Sequence, residues 1–235
     1  MKKYDLKSFI LFTLTGLITL SSSAYANGFY AGVNGGYDST DFYKTLTIVQ
    51  NGSQTYDKQD NLNGEGFFVG PIIGYQFDIG RGFLAAELDG NLNSIKYNGW
   101  FIDNTSQLGQ TSSATLTLKN SYGASILSGY NLNPNVALYG RIGWERADFE
   151  YSEYKADLGE PSYGVTEHEW LDGWKLGAGV NVALTPHTAL RLEYNHLKYN
   201  TFVDTNFQLG DGQFRTMKLA PQSNQIQLGF IYKFS

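Results

Sequence analysis

Eight stretches of this chain alternate apolar and polar residues at a period of two, and no helical period of comparable length competes with them. They are residues 29–41, 66–78, 83–98, 114–132, 136–154, 170–184, 188–203 and the run that closes the chain. In that last run Ile226, Leu228, Phe230, Tyr232 and Phe234 form an apolar face. Gln225, Gln227, Gly229 and Lys233 form a mostly polar one, with Ile231 the exception. Successive side chains on a strand point to opposite faces, so two faces of opposite character suit a strand between hydrocarbon and a polar lumen. The pattern predicts an all-β chain folded as an eight-stranded antiparallel up-and-down transmembrane β-barrel, small enough for its own side chains to fill the interior.

The connections support an up-and-down order. Short segments of Gly, Pro and Asn type fall at 79–82, 133–135 and 185–187, while 42–65, 99–113, 155–169 and 204–222 are long. Asn51-Gly52 after Thr45–Val49 predicts that the first hairpin continues as a ribbon. Pro71 lacks a ladder donor and predicts a bulge. Phase assigns Val69, Ile73, Leu88, Leu92, Leu116, Leu118, Ile142 and Trp144 to the outer face; beyond Trp144 the alternation weakens at Arg146 and Asp148.

The start of the chain carries an address. Lys2, Lys3 and Lys7 precede an apolar run from Phe9 to Leu20, too short for a membrane helix of about 20 residues, and Ala24-Tyr25-Ala26 supplies a small-x-small cleavage site. Residues 1–26 are expected to be a cleaved signal peptide and 27–235 the barrel. An exported chain without Cys has no disulfide framework. The mean hydropathy of −0.30 looks soluble only because every second residue of such a strand faces lipid. Without Lys2, Lys3, Lys7 and Asp5, 14 basic residues face 21 acidic ones, a net of −7. That balance disfavours nucleic acid and sulfated glycans as partners.

Phe29-Tyr30-Ala31-Gly32, Tyr139–Gly143, Arg191-Leu192-Glu193-Tyr194 and Leu228–Phe234 resemble the matching strands of OmpA/OmpX-type small outer-membrane barrels, including the opacity-protein relatives. The resemblance spans nearly all of residues 27–235. It implies residence in the outer membrane of a Gram-negative envelope, contact with its lipids and lipopolysaccharide, and insertion by the barrel-assembly machinery. No periplasmic peptidoglycan-binding domain is expected, and a monomer is. It also implies an ionic cluster in the lumen, matched here by Glu87 and Arg191, while Asn34, Leu127 and Asn181 occupy places where charges are expected.

Phase alone puts Glu87, Asp89, Lys119, Arg141, Glu145, Lys175, Arg191 and Glu193 inside. Buried charges persist only when paired. The pairs expected are Glu87 with Arg141 or Arg191, and Glu193 with Lys175 or Arg191. They would form a structural plug, or, as the alternative, the gate of a narrow passive pore for ions or small solutes, with inward glycines leaving room for water. No catalytic, cofactor or metal site is expected. His196 would need a nucleophile where Lys198 stands, and Glu167-His168-Glu169 is a weak cation motif. The expected function is envelope structure and adhesin-like or opacity-like surface contact, through Tyr43, Tyr56, Trp100, Phe101, Tyr163, Phe207 and Phe214 in the long segments, with a host or envelope ligand.

Overall fold

A computed structural model describes residues 27–50, 53–102, 111–156, 163–208 and 213–234. They form strands β1 (Gly28–Gln50), β2 (Ser53–Ile79), β3 (Gly82–Ile102), β4 (Thr111–Asn133), β5 (Val136–Ala156), β6 (Tyr163–Ala183), β7 (Thr188–Tyr199), β8 (Phe202–Gln208) and β9 (Gln213–Lys233). Each pairs antiparallel with its neighbour, and β1 closes on β9. Val33 thus faces Pro71 on one side and Phe230 on the other. Strands β7 and β8 share one partner, meeting β9 at Lys198↔Gln222 and Phe202↔Leu219, so they are a single wall strand interrupted at Asn200-Thr201. The closed wall is therefore an eight-stranded antiparallel barrel.

Around the lower half, toward the short turns, the apolar phase faces out. Leu228, Ile142, Leu92 and Ile73 are each more than half exposed on the outer surface. Rings bound this belt: Phe29 on Tyr75 and Tyr232 on Phe234 near the turns, Tyr122 on Trp144 and Trp170 farther up. So large a bare apolar surface is stable against lipid rather than water.

Above the upper rings the polarity inverts. Phe42, Phe149 and Leu197 point inward and are fully or nearly fully buried, while Tyr43, Lys198 and His168 are outside. The weakening expected after Trp144 is this inversion: strand β5 keeps its alternation, with Ala147 and Phe149 now inside and Arg146 and Asp148 outside. Once water replaces hydrocarbon on the outer face, the interior is the drier side.

Two register shifts meet at one level, and the side-chain phase changes on β4 alone; β3 alternates unbroken from Asn91 to Ile95. Between Leu92 and Ile95 two residues of β3 oppose one of β4, and between Leu118 and Ser121 two of β4 oppose one of β5. Leu116 and Leu118, expected on the outer face, are consequently buried inside, and Lys119, expected inside, is 43% exposed and paired with Glu150 at 3.2 Å. Tyr97 packs against the same inner cluster. No bulge accompanies Pro71. The β2–β3 ladder skips 70–71 and resumes in the same register from Val69↔Leu92 to Ile72↔Asp89. The missing donor costs a local bond without shifting the count.

The long segments are also largely strand. The extensions form two sheets. One is β8-β9-β1-β2 and the other β3-β4-β5-β6; among the described residues β2 and β3 pair no higher than Glu65↔Lys96, and β6 and β7 no higher than Gly173↔Tyr199. An apolar cluster that includes Phe42, Leu118, Phe149, Leu197 and Leu219 draws side chains from both.

Candidate functional site

The lumen is packed in layers. Nearest the turns lies an apolar layer built on Ile72, Phe83, Leu127 and Ile231, which explains why Ile231 breaks the polar face of the last strand. Above it, β3 projects Glu87 and Asp89, β5 Arg141 and Glu145, β6 Lys175, and β7 Arg191 and Glu193, all nearly fully buried.

These charges alternate in sign up the tube. Arg191 Nη1 donates to Glu87 Oε2 at 2.6 Å, and Arg141 Nη2 binds the other oxygen of Glu87. Arg141 also lies 3.6 Å from Asp89 and 3.1 Å from Glu193. Lys175 Nζ then stands 3.0 Å from Asp89 and 2.5 Å from Glu145. A carboxylate removed from water costs several kcal/mol unless its lone pairs are met. Here Tyr30 donates to Glu87 at 2.8 Å, Tyr199 to Glu145 at 3.2 Å, and Tyr139 to Glu193. Asn195 and Gln227 add bonds of 2.7 and 2.6 Å to Glu193. The Arg191 guanidinium lies 5.8 Å from the Tyr30 ring centre and 5.3 Å from that of Tyr139.

Glu193 therefore faces Arg141, not Lys175, and Lys175 serves Asp89 and Glu145. Inward residues meet across the tube, and the stagger of tilted strands decides which are level. The inward glycines do not hold open space. Gly74 faces Tyr30 and Gly179 faces Tyr139 in register, and a Cβ at either glycine would strike the facing ring. Sequence reasoning passed over these tyrosines, and the inward Tyr opposite an inward Gly was the available signal. It also passed over Asp38, which accepts bonds from Thr40 (2.8 Å) and Gln225 (2.7 Å) in a buried layer completed by Ser223. The upper apolar cluster caps the stack, with Phe149 edge-on to Phe42 and Tyr199.

Outside the lumen, His196 contacts Asn224 Oδ1 at 3.0 Å and packs beside Trp174. In Glu167-His168-Glu169, His168 lies on the outer face between Asp148 (3.2 Å) and Glu150 (3.3 Å). Among the described residues no group of three or more His, Asp or Glu is arranged to hold a metal ion. Tyr43 is exposed on β1. Tyr56, Trp100, Phe101, Tyr163, Phe207 and Phe214 fall on strand extensions rather than free loops, their side chains outside the described ones. Residues 1–26 and the Asn51-Gly52 turn also lie outside the described residues.

Among named proteins the chain is 27% identical over 211 residues to the 22 kDa outer membrane protein of Rhizobium leguminosarum bv. viciae, covering 88% of this chain and 77% of the relative. It is 26% identical over 222 residues to the 31 kDa outer-membrane immunogenic protein of Brucella melitensis biotype 1, covering 88% and 83%. Among solved structures, the outer membrane protein OprG from Pseudomonas aeruginosa aligns over 91% of this chain and 99% of its own, with a TM-score of 0.49 and 12% identity. The family model for the outer membrane protein beta-barrel domain matches residues 10–234. With its closed wall, its lipid-facing belt and outer-membrane proteins as relatives, this is a protein of the outer membrane, and the chain belongs to the outer membrane protein beta-barrel domain family.

Proposed function

We propose that this barrel acts at the cell surface as a non-enzymatic contact protein. It stands as a monomer among lipopolysaccharide after the assembly machinery inserts it, and offers its strand extensions to a ligand on a host cell or in the envelope. One observation carries the reading. A strand needs about 9–11 residues to cross the membrane, yet β1 has 23, β2 has 27 and β3 through β6 have 21 to 23. The excess lies entirely on the side away from the short turns, where it forms two sheets around their own apolar cluster. Ordering that much chain in water has an entropic cost that the membrane anchor does not require. The Brucella relative is an immunogenic outer-membrane protein, which supports surface exposure here.

The layered lumen favours this reading over the pore. Rings occupy the space that inward glycines would otherwise leave, and apolar layers lie above and below the charges. For the enzyme question, His196 shares Asn224 with Tyr194, packs beside Trp174 and has Lys198 next along its face, a set without the Ser, Thr or Cys that a neighbouring imidazole ordinarily activates.

The test is a barrel whose four long connections are cut back to tight turns at the level of Trp144 and Trp170. It should still migrate as a heat-modifiable folded species, and bacteria displaying it should lose adherence to cultured host cells. Adherence equal to that of the full-length protein would remove the surface-contact reading.

A further inference from the structure

Above Asp172, strand β6 has, among the described residues, a neighbour on one side only. Its ladder with β5 continues to Tyr163, while on the other side the last contact is the bond from Asn200 N to Asp172 O at 2.8 Å. Strand β8 has by then turned to β9. In an antiparallel ladder the N–H and C=O of one residue point the same way, and alternate residues point to alternate neighbours. The Asp172 carbonyl points toward β7. Trp170, His168, Thr166 and Gly164 therefore aim both backbone groups at the gap between β6 and β8, and no strand pairs with them there among the described residues.

The gap has an apolar floor. Leu171, Phe149, Phe202 and Leu219, with His168 and Glu169 among the other lining residues, enclose a cavity of about 40 Å³. That is well short of the roughly 150 Å³ that accommodates benzene, which argues against a free aromatic ligand. The tip of a small side chain fits.

The charge beside the gap is in acidic excess. From Tyr163 to Asp172, strand β6 carries Glu167, Glu169 and Asp172 with neither Lys nor Arg, and β8 carries Asp204 with neither. On the outer face Asp148 and Glu150 flank His168, Glu150 also pairs with Lys119 at 3.2 Å, and Arg146 stands 3.9 Å from Asp172, so the carboxylates still outnumber the cations beside the gap. Free edges are commonly guarded by Lys; this one is acidic. A second copy would bring like charge to like charge, and a sulfated glycan would be repelled. A row of backbone donors and acceptors above a small apolar floor matches an extended chain adding as a strand.

We propose that the free edge of β6 captures an extended basic peptide segment of a partner protein by strand addition. Small apolar side chains at alternate positions enter the cavity beside Leu171, and the basic ones between them lie along Asp172 and Glu150. The proposal rests on the surface-contact reading and gives that reading a partner chemistry.

The probe is a fluorescein-labelled alternating Lys–Val peptide of about ten residues, with its Glu–Val counterpart and a heparin fragment, titrated against the full protein in phosphatidylcholine nanodiscs. Saturable anisotropy with Lys–Val and none with Glu–Val is expected. Thr166→Pro removes an N–H that points into the gap and so spares the β5 ladder. It should weaken binding about tenfold or more while heat-modifiable migration is retained. The double variant E150K/D172K leaves the backbone intact and should weaken binding to a similar degree, which keeps the test decisive if the proline variant fails to fold. Equal binding of both peptides, unchanged binding by the double variant, or preference for heparin overturns strand addition by a basic segment. If cut-back barrels lose adherence while the intact protein ignores the Lys–Val peptide, surface contact stands and this proposal falls.

Discussion

Arg141 touches three buried carboxylates, Glu87, Asp89 and Glu193, and among the described residues no other cation in the lumen touches as many. Its charge was readable from strand phase, because a polar residue at every second position between outward apolar ones can only face the lumen. Its partners were not readable, since strand stagger sets them. The arrangement makes a quantitative prediction. Arg141→Met removes one charge and leaves three carboxylates crowded in a medium of low polarity. Breaking a buried pair from one side costs about 3–5 kcal/mol, and urea unfolding of the lipid-refolded barrel should register a loss of that size. Adding Glu193→Gln to Arg141→Met should recover part of the loss, because it withdraws one of the stranded charges. A loss below about 1 kcal/mol for Arg141→Met, the scale of an exposed pair, would mean that the crowding described here is relieved by water.

At the scale of a strand, the belt region was legible and the extensions were not, for one reason. In the belt both media are known, hydrocarbon outside and a polar lumen inside, so alternation fixes the direction of every side chain from Leu88 on β3 to Phe230 on β9. Beyond Trp144 the outer medium becomes water, and the same alternation means the opposite. Phe149 is inside because it is apolar, where Ile142 on the same strand is outside for the same cause. The bulges compound this. On β4 the step at Lys119-Asn120 moves the inner face from Ser121 to Leu118, while β3 runs on in unbroken alternation, with Leu92 outside and Ile95 inside. Deleting Asn93 should therefore rotate Ile95 outward and Lys96 toward the apolar cluster. Burying an unpaired ammonium costs several kcal/mol, so the upper sheet should open while the belt stays closed. Trypsin should then cut the variant at Lys96 and Lys119 and spare the membrane-embedded portion. Resistance equal to that of the parent would show that the alternation of β3 does not decide which residues the upper sheet buries.

For the whole molecule, the layers act in series. An ion travelling from the surface to the periplasm meets the cluster around Phe149 and Leu197, then the buried Asp38 layer, then the alternating charges, then the layer of Phe83 and Leu127. Passage through barriers in series is governed by the highest, so lowering one leaves the rest in control. Planar-bilayer recordings of the intact barrel should therefore show no stable single-channel steps. Variants opened in one layer should be equally silent, whether Phe149→Ala with Leu197→Ala above or Tyr30→Ala with Tyr139→Ala below, where the rings covering Gly74 and Gly179 are lost. Combining the two pairs leaves the charged layer as the principal barrier, without the hydroxyls that Glu87 and Glu193 accept from these tyrosines. Small, cation-preferring steps should then emerge, because the buried lumen holds the carboxylates Asp38, Glu87, Asp89, Glu145 and Glu193 against the cations Arg141, Lys175 and Arg191. Steps in the parent would return the narrow pore to first place, and anion preference in the combined variant would contradict the lumen charge that the packing assigns.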